Sequence, residues 1–202
     1  MWRGYFPAMR YVIGALALCL TIVSPAFAAE QSGTPVQKGN QTHQQKLDEF
    51  FNELKRARNE RAAARVASRI WQEWENSGSA NIDLMMQWAK KAMDEQKFDI
   101  ALDFLDQVVT MRPDFAEGWN RRATVHFMMK NFAKSMADIG QTLELEPRHF
   151  GALSGMALIF KARGSKQMAF NAYQRVLDIY PMMRDAQNEV ATLSEELAGE
   201  AI

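Results

Sequence analysis

The side chains best suited to chemistry are few in this chain of 202 residues, and they are widely separated. We expect His43 to be solvated in a polar segment, His126 to be packed inside a helical core, and His149 to be exposed at a turn. No pair of histidines or cysteines has the spacing of a zinc site, and no glycine-rich phosphate loop is present. Ser135 and Ser154 have no base placed beside them. We therefore predict no catalytic residue, no metal site and no cofactor, which favours a binding protein over an enzyme.

Residues 1–28 have the features of a secretory signal peptide. Arg3 and Arg10 give a basic start, residues 11–23 form an apolar core, and Ala26-Phe27-Ala28 is a small-x-small cleavage site. The apolar core is shorter than the ~20 residues that span a bilayer. We predict cleavage after residue 28, a periplasmic or secreted chain, and no stable membrane span after cleavage. An uncleaved anchor is the alternative, and Met9 is an alternative start.

The composition of the remaining chain points to a protein or peptide as partner. Cys19 is the only cysteine and would leave with the signal peptide, so no thiol chemistry is expected. Residues 29–45 are polar and contain Gly and Pro, which is typical of a flexible linker. The 24 basic and 24 acidic residues balance, which gives no reason to expect nucleic acid or an anionic membrane as partner. Arginines between residues 56 and 69 alternate with glutamates, and we interpret them as a solvated face.

A fixed period shows which elements position these residues. Pro113, Pro147 and Pro181 follow one another at intervals of 34 residues. Small residues recur at the same period in two columns: Ala89, Ala123 and Ala157, then Ala101, Ser135 and Ala169. Two antiparallel helices approach most closely where both side chains are small, and proline ends the second helix because it cannot continue the α-conformation. The period therefore predicts helical hairpins that stack to bury their apolar faces.

This pattern resembles the tetratricopeptide repeat (TPR), a helical hairpin of 34 residues. Residues 82–181 hold three matching repeats, although Gln96 and Lys130 stand where the third repeat keeps its turn glycine, Gly164. The resemblance implies an all-α fold, a right-handed TPR solenoid of helical hairpins. We expect residues 46–81 to form a degenerate first TPR-like hairpin and residues 182–202 to form a capping helix and tail.

The resemblance also implies a concave groove lined by the first helix of each repeat. The matching columns give these expected partner-binding residues: Met86, Lys90, Met93, Asn120, Thr124, Phe127, Met128, Ser154, Leu158 and Lys161. Phe127 and Leu158 are the expected anchors, because a few central contacts carry most binding energy. The lysine and asparagine pattern of carboxylate-binding TPRs is not assembled in these columns, which disfavours capture of a C-terminal carboxylate.

Arg122 occupies a column that usually faces the core of a TPR hairpin. A charge in that place must be paired, since an unpaired buried charge is costly. Asp138 lies across the same hairpin and is the best candidate. We therefore predict that Arg122 and Asp138 form a structural pair without a catalytic role.

The sequence thus predicts a non-catalytic periplasmic TPR adaptor that binds a peptide or protein segment in its concave groove. One alternative is a holdase-like or assembly factor for cell-envelope proteins, which would suppress aggregation of many unrelated unfolded chains. Another alternative is a non-catalytic subunit of an envelope enzyme complex, which would co-purify with that enzyme.

Overall fold

The computed structural model describes residues 42–200, and that part of the chain is helical with no strand. The helices are α1 (His43–Arg56), α2 (Glu60–Glu75), α3 (Ala80–Asp94), α4 (Phe98–Met111), α5 (Ala116–Met128), α6 (Phe132–Leu145), α7 (Phe150–Ala162), α8 (Lys166–Ile179) and α9 (Arg184–Glu200). None of these helices combines the length and apolarity that a bilayer-spanning segment needs. The predicted signal peptide and residues 29–41 of the predicted linker lie outside the described residues.

Three antiparallel hairpins form the repeats: α3 with α4, α5 with α6, and α7 with α8. The small residues predicted to set their close approach are buried in all three. In the middle hairpin the hydroxyl of Ser135 also donates to the carbonyl of Ala123 across the contact, at 2.8 Å. Successive hairpins stack, since α4 packs on α5 and α6 packs on α7. The all-α TPR architecture expected from the period is confirmed.

The turn inside each hairpin reverses the chain through one residue with a positive φ. Gly164 has φ +73°, while Gln96 and Lys130 adopt φ 57° and 61°. Each first helix closes with the same bond, for example from Lys97 N to the carbonyl of Ala92 at 2.8 Å. Glycine adopts this left-handed conformation without strain, whereas a side chain disfavours it. The first two hairpins therefore keep the turn geometry without the turn glycine.

Helix α9 covers the outer side of α8 and closes that end of the stack. Its inward face buries Ala186 and Leu193. At its surface Glu196 pairs with Lys166 at 3.0 Å, and Glu189 pairs with Lys161. An apolar inner face and a charged outer face are what a terminal helix needs to meet water.

Helices α1 and α2 form an N-terminal hairpin with its own apolar contacts. Helix α1 begins at His43, earlier than the predicted linker boundary at residue 45, because Thr42 and Gln45 form a capping box. Asn59 caps α2 by accepting from the amide of Ala62 at 2.8 Å. Leu47, Phe51 and Leu54 of α1 and Ala63, Val66, Ile70 and Trp74 of α2 are buried.

The N-terminal hairpin does not pack as a repeat stacked before α3. Its buried residues join one apolar cluster with α7, α8 and α9, through residues such as Phe150 and Tyr180. The cluster around α3, α4 and Phe115 is separate and, among the described residues, includes no side chain of the N-terminal hairpin. A first repeat stacked before the others would pack beside α3, and the N-terminal hairpin does not. The physical reason for the difference is a pair of tryptophans on α2 that find partners at the start of α7.

Candidate partner-binding groove

The first helices of the second and third repeats, α5 and α7, border an open groove of about 200 Å³. We call it the α5–α7 groove. It is lined by small side chains along its floor, by hydroxyl and amide groups, and by two large apolar side chains at one end. These residues are Asn120, Ala123, Thr124, Phe127, Ser135, Ile139, Gly151, Ala152, Ser154, Gly155 and Leu158. The small floor residues leave room for side chains of a ligand, while Phe127 and the exposed Leu158 offer apolar contact.

The hydroxyl groups of the α5–α7 groove are already hydrogen-bonded to the protein. Thr124 donates to the carbonyl of Asn120 at 3.0 Å, and Ser154 donates to the carbonyl of Phe150 at 2.8 Å. The Asn120 amide donates to Glu117 at 2.8 Å. A hydroxyl that already donates a hydrogen bond can still accept one from a ligand, but it needs no further partner. The groove can therefore take an apolar ligand without leaving a buried polar group unpaired.

The predicted binding residues do not all come together in this groove. Five of them line it: Asn120, Thr124, Phe127, Ser154 and Leu158. Met86 and Lys90 line a second cavity of about 320 Å³, whose other wall is formed by Gln72, Glu75 and Asn76 at the end of α2. Met93, Met128 and Lys161 line neither cavity. The repeat columns could not predict this division. They align equivalent positions of the three repeats and carry no information about α2, which lies outside the repeats and forms one wall of the second cavity.

Two of the predicted lysines are engaged in ion pairs with acidic side chains. Lys90 pairs with Asp94 one turn further along α3, at 2.6 Å. Lys161 pairs with Glu189 of the capping helix α9. Both pairs are at the surface, where such contacts contribute little to stability. They nevertheless reduce the positive charge available to a ligand beside the groove.

Helix α2 lies at one end of the groove, beside the start of α7. The side chain of Trp71 lies against Gly151, where an added Cβ would be 2.5 Å from its ring carbon Cη2. Any larger residue at position 151 would have to displace the Trp71 ring, so glycine permits this close approach. Trp71 also contacts the rings of His149 and Phe150 edge-on, at 5.4 and 5.5 Å between centroids. These contacts place the N-terminal hairpin at the end of the groove.

A buried charged network lies under this junction, and sequence reasoning missed it. His149 accepts from the amide of Ala152 through Nδ1 at 3.1 Å, so its Nε2 carries the proton and donates to Glu117, at 3.2 Å. Arg121 binds the other carboxylate oxygen of Glu117 at 2.7 Å and reaches Glu75 of α2 at 3.0 Å. The network links α5, α7 and the N-terminal hairpin.

The expectation that His149 is exposed is wrong. Its side chain is 0% exposed, because the Trp74 ring stacks on it at 4.0 Å with an interplanar angle of 10°. Burial by itself would raise the pKa of Glu117, but the hydrogen bond from His149 and the charge of Arg121 outweigh it and lower the pKa. Glu117 is therefore held as a carboxylate inside the protein.

The guanidinium of Arg122 donates to both carboxylate oxygens of Asp138, at 2.8 and 2.7 Å. It also reaches Asp106 of α4 at 2.8 Å, which ties the second repeat to the first. His126 lies beside this pair and is buried, as the sequence predicted. Burial lowers the pKa of His126, against the opposing charge of Asp138. The geometry suits packing and does not place a nucleophile or a substrate.

No group of three or more potential metal ligands occurs within residues 42–200.

Comparison with known proteins supports this description. No protein-family model matches the chain. The chain is 50% identical over 176 residues to a TPR repeat-containing protein of Rhizobium etli, covering 87% of this chain and 86% of that protein. It is 28% identical over 97 residues to small glutamine-rich tetratricopeptide repeat-containing protein 2 of Saccharomyces cerevisiae, covering 48% of this chain and 28% of that protein. A solved structure of the first TPR of Spaghetti (RPAP3) bound to the HSP90 peptide SRMEEVD is 25% identical, with a TM-score of 0.55, and the match covers 58% of this chain and 93% of that one.

Proposed function

Because the chain belongs to the TPR family, we propose that it is a non-catalytic adaptor that holds a peptide or protein segment in the α5–α7 groove. The observation that carries the proposal is the combination of an open apolar end, at Phe127 and Leu158, with polar groups that are already bonded. The RPAP3 domain with its bound HSP90 peptide supports peptide binding as a use of this architecture.

The character of the ligand follows from the charges around the groove. Lys90 and Lys161, the two basic residues of the predicted columns, are paired with acids, and no basic residue lines the α5–α7 groove. A strongly acidic C-terminal peptide would find few free cations among the groove residues. The proposed ligand is therefore an internal segment, extended or helical, that inserts apolar side chains between Phe127 and Leu158.

The test is a double variant, Phe127→Ala with Leu158→Ala, compared with the wild type in capture of a partner from envelope extract. Truncation of these two apolar contacts should weaken capture by roughly tenfold or more. A matched control is Leu145→Ala with Met168→Ala, which removes two apolar side chains, 41% and 51% exposed, from second helices outside the groove. Circular dichroism should show the same helical content for both variants. If the folded groove variant captured the partner as well as the wild type, the binding site would lie on another surface.

We also propose that the adaptor works in the periplasm or outside the cell. The support is the basic start, the apolar core and the Ala-Phe-Ala site within residues 1–28. The exported protein is expected to begin at Ala29. N-terminal sequencing of protein recovered from the envelope fraction checks this, and retention of Met1 or Met9 would contradict it.

A further inference from the structure

The first repeat carries an exposed apolar face on the side away from the rest of the stack. Leu84 and Trp88 of α3 and Ile100 of α4 are 42%, 46% and 47% exposed. The rings of Trp88 and Phe104 lie 5.4 Å apart and bind the two helices together at this face. We call Leu84, Trp88, Ile100 and Phe104 the open end. Trp88, Ile100 and Phe104 border a depression of about 340 Å³ whose rim holds Lys91, Glu95 and Lys97.

The next repeats show what normally covers such a face. Arg122 and Val125 stand one repeat after Trp88 and Lys91. Arg122 contacts Asp106 of α4, and Val125 is fully buried. Ile159, another repeat further on, is also buried beside the preceding hairpin. In both later repeats the positions equivalent to Trp88 and Lys91 are therefore covered by the hairpin before them, whereas the positions equivalent to Ile100, which are Lys134 and Met168, stay exposed.

No described residue between 42 and 79 seals the open end of the first repeat. Helix α2 is engaged elsewhere, with Trp71 and Trp74 on His149 and Phe150. At the opposite end of the stack, α9 covers the last hairpin and turns charged residues outward. A contiguous apolar face without such a cap marks an interaction site.

We propose that the open end packs against the open end of a second copy of this chain, forming a two-fold symmetric dimer. The face is built from two antiparallel helices, so a two-fold axis parallel to them would place α3 of each copy on α4 of the other. Each copy then receives the helical cover that α4 gives to the second repeat within one chain. Both apolar faces are removed from water by one contact.

The charges of the two helices suit this arrangement. Helix α4 carries three acids and no basic residue; Asp106 is already paired with Arg122 of the second repeat, while Asp99 and Asp103 are exposed. The charged residue of α3 at the rim of the open end is Lys91. Because α3 of one copy faces α4 of the other, the two-fold axis brings Lys91 towards Asp99 and Asp103 of α4 twice. Unlike charges across the contact favour this pairing over an arrangement that places α4 on α4. The α5–α7 groove lies on other residues, so the dimer and the proposed ligand would not compete.

Sedimentation equilibrium of the full chain, over a range of concentrations, tests the dimer. The wild type should show a monomer–dimer equilibrium, and Trp88→Glu should raise the dissociation constant at least tenfold, because a charge would replace a central apolar contact. The matched control is Met168→Glu, which puts the same charge on a 51% exposed apolar position of α8 and should leave the dissociation constant unchanged. Circular dichroism confirms that both variants are folded.

A charge exchange tests the symmetry independently of folding. Lys91→Glu and Asp103→Lys should each weaken self-association, and mixing the two variants should restore it, since each contact then again joins unlike charges. A wild type that stays monomeric at all concentrations would overturn the proposal. So would a dimer that Trp88→Glu does not weaken, or a mixture that associates no better than either variant alone.

Discussion

Replacing Glu117 with alanine should lower the free energy of unfolding by about 3 kcal/mol, because it leaves buried donors without their acceptor. The carboxylate is 1% exposed and binds His149, Arg121 and the amide of Asn120. After the substitution the Nε2 proton of His149 has no described partner left in a site that is closed to water. Arg121 keeps its contact with Glu75. The expected loss of stability is therefore at the lower end of the range for breaking a buried ion pair.

Chemical denaturation followed by circular dichroism measures this loss. The control is Glu75→Ala, which removes the other acid that Arg121 contacts but does so at a side chain that is 54% exposed. Exposed ion pairs contribute little, so the control should change the free energy of unfolding by less than about 1 kcal/mol. Equal effects of the two substitutions would show that the buried network does not hold the hairpin and the repeats together.

The same carboxylate should give the protein a specific response to acid. The folded state lowers the pKa of Glu117 below its ordinary value of 4.5. Its stabilising contribution is therefore present above pH 4.5 and is lost as the pH falls through the lower, folded-state pKa. In Glu117→Gln the titrating group is absent, so the free energy of unfolding should fall less steeply than in the wild type when the pH decreases below that value.

The repeat period predicted the part of the fold that repeats. A column of small residues can only mark a close helix–helix contact, and Ala89, Ala123 and Ala157 are all buried as that reasoning requires. The same columns placed Phe127 and Leu158 on one face, where they line the α5–α7 groove. These inferences succeed because each position is constrained by an equivalent position in a neighbouring repeat.

The position of the N-terminal hairpin could not be derived in that way. This hairpin has no equivalent in another repeat. Its apolar stripe therefore predicts that one face is buried, but it does not predict which helices cover that face. Three residues carried a usable signal: Trp71 and Trp74 lie one helical turn apart on α2, and Gly151 of α7 has no side chain and leaves room for a ring. The burial of His149 follows from that docking, since the turn beside Pro147 would otherwise face water.

Replacing Trp74 with alanine should lower the free energy of unfolding by about 3–5 kcal/mol, because it removes the central contact between the N-terminal hairpin and the repeats. The ring is 4% exposed and stacks on His149, with Phe150 at 5.0 Å and Trp71 at 5.2 Å between ring centroids. The substitution would leave a cavity at the junction between the N-terminal hairpin and the repeats. The N-terminal hairpin should therefore separate before the repeats unfold.

Amide hydrogen exchange can resolve this order, since it reports the opening free energy of each helix. In Trp74→Ala the amides of α1 and α2 should lose protection, while those of α5 and α6 keep theirs. The control is Trp74→Phe, which keeps an aromatic ring for stacking and removes an indole N–H that has no hydrogen-bond partner among the described residues. Since an unpaired buried donor is itself costly, the phenylalanine variant should lose much less stability than the alanine variant. A uniform loss of protection across all helices would instead mean that hairpin and repeats unfold as one cooperative unit.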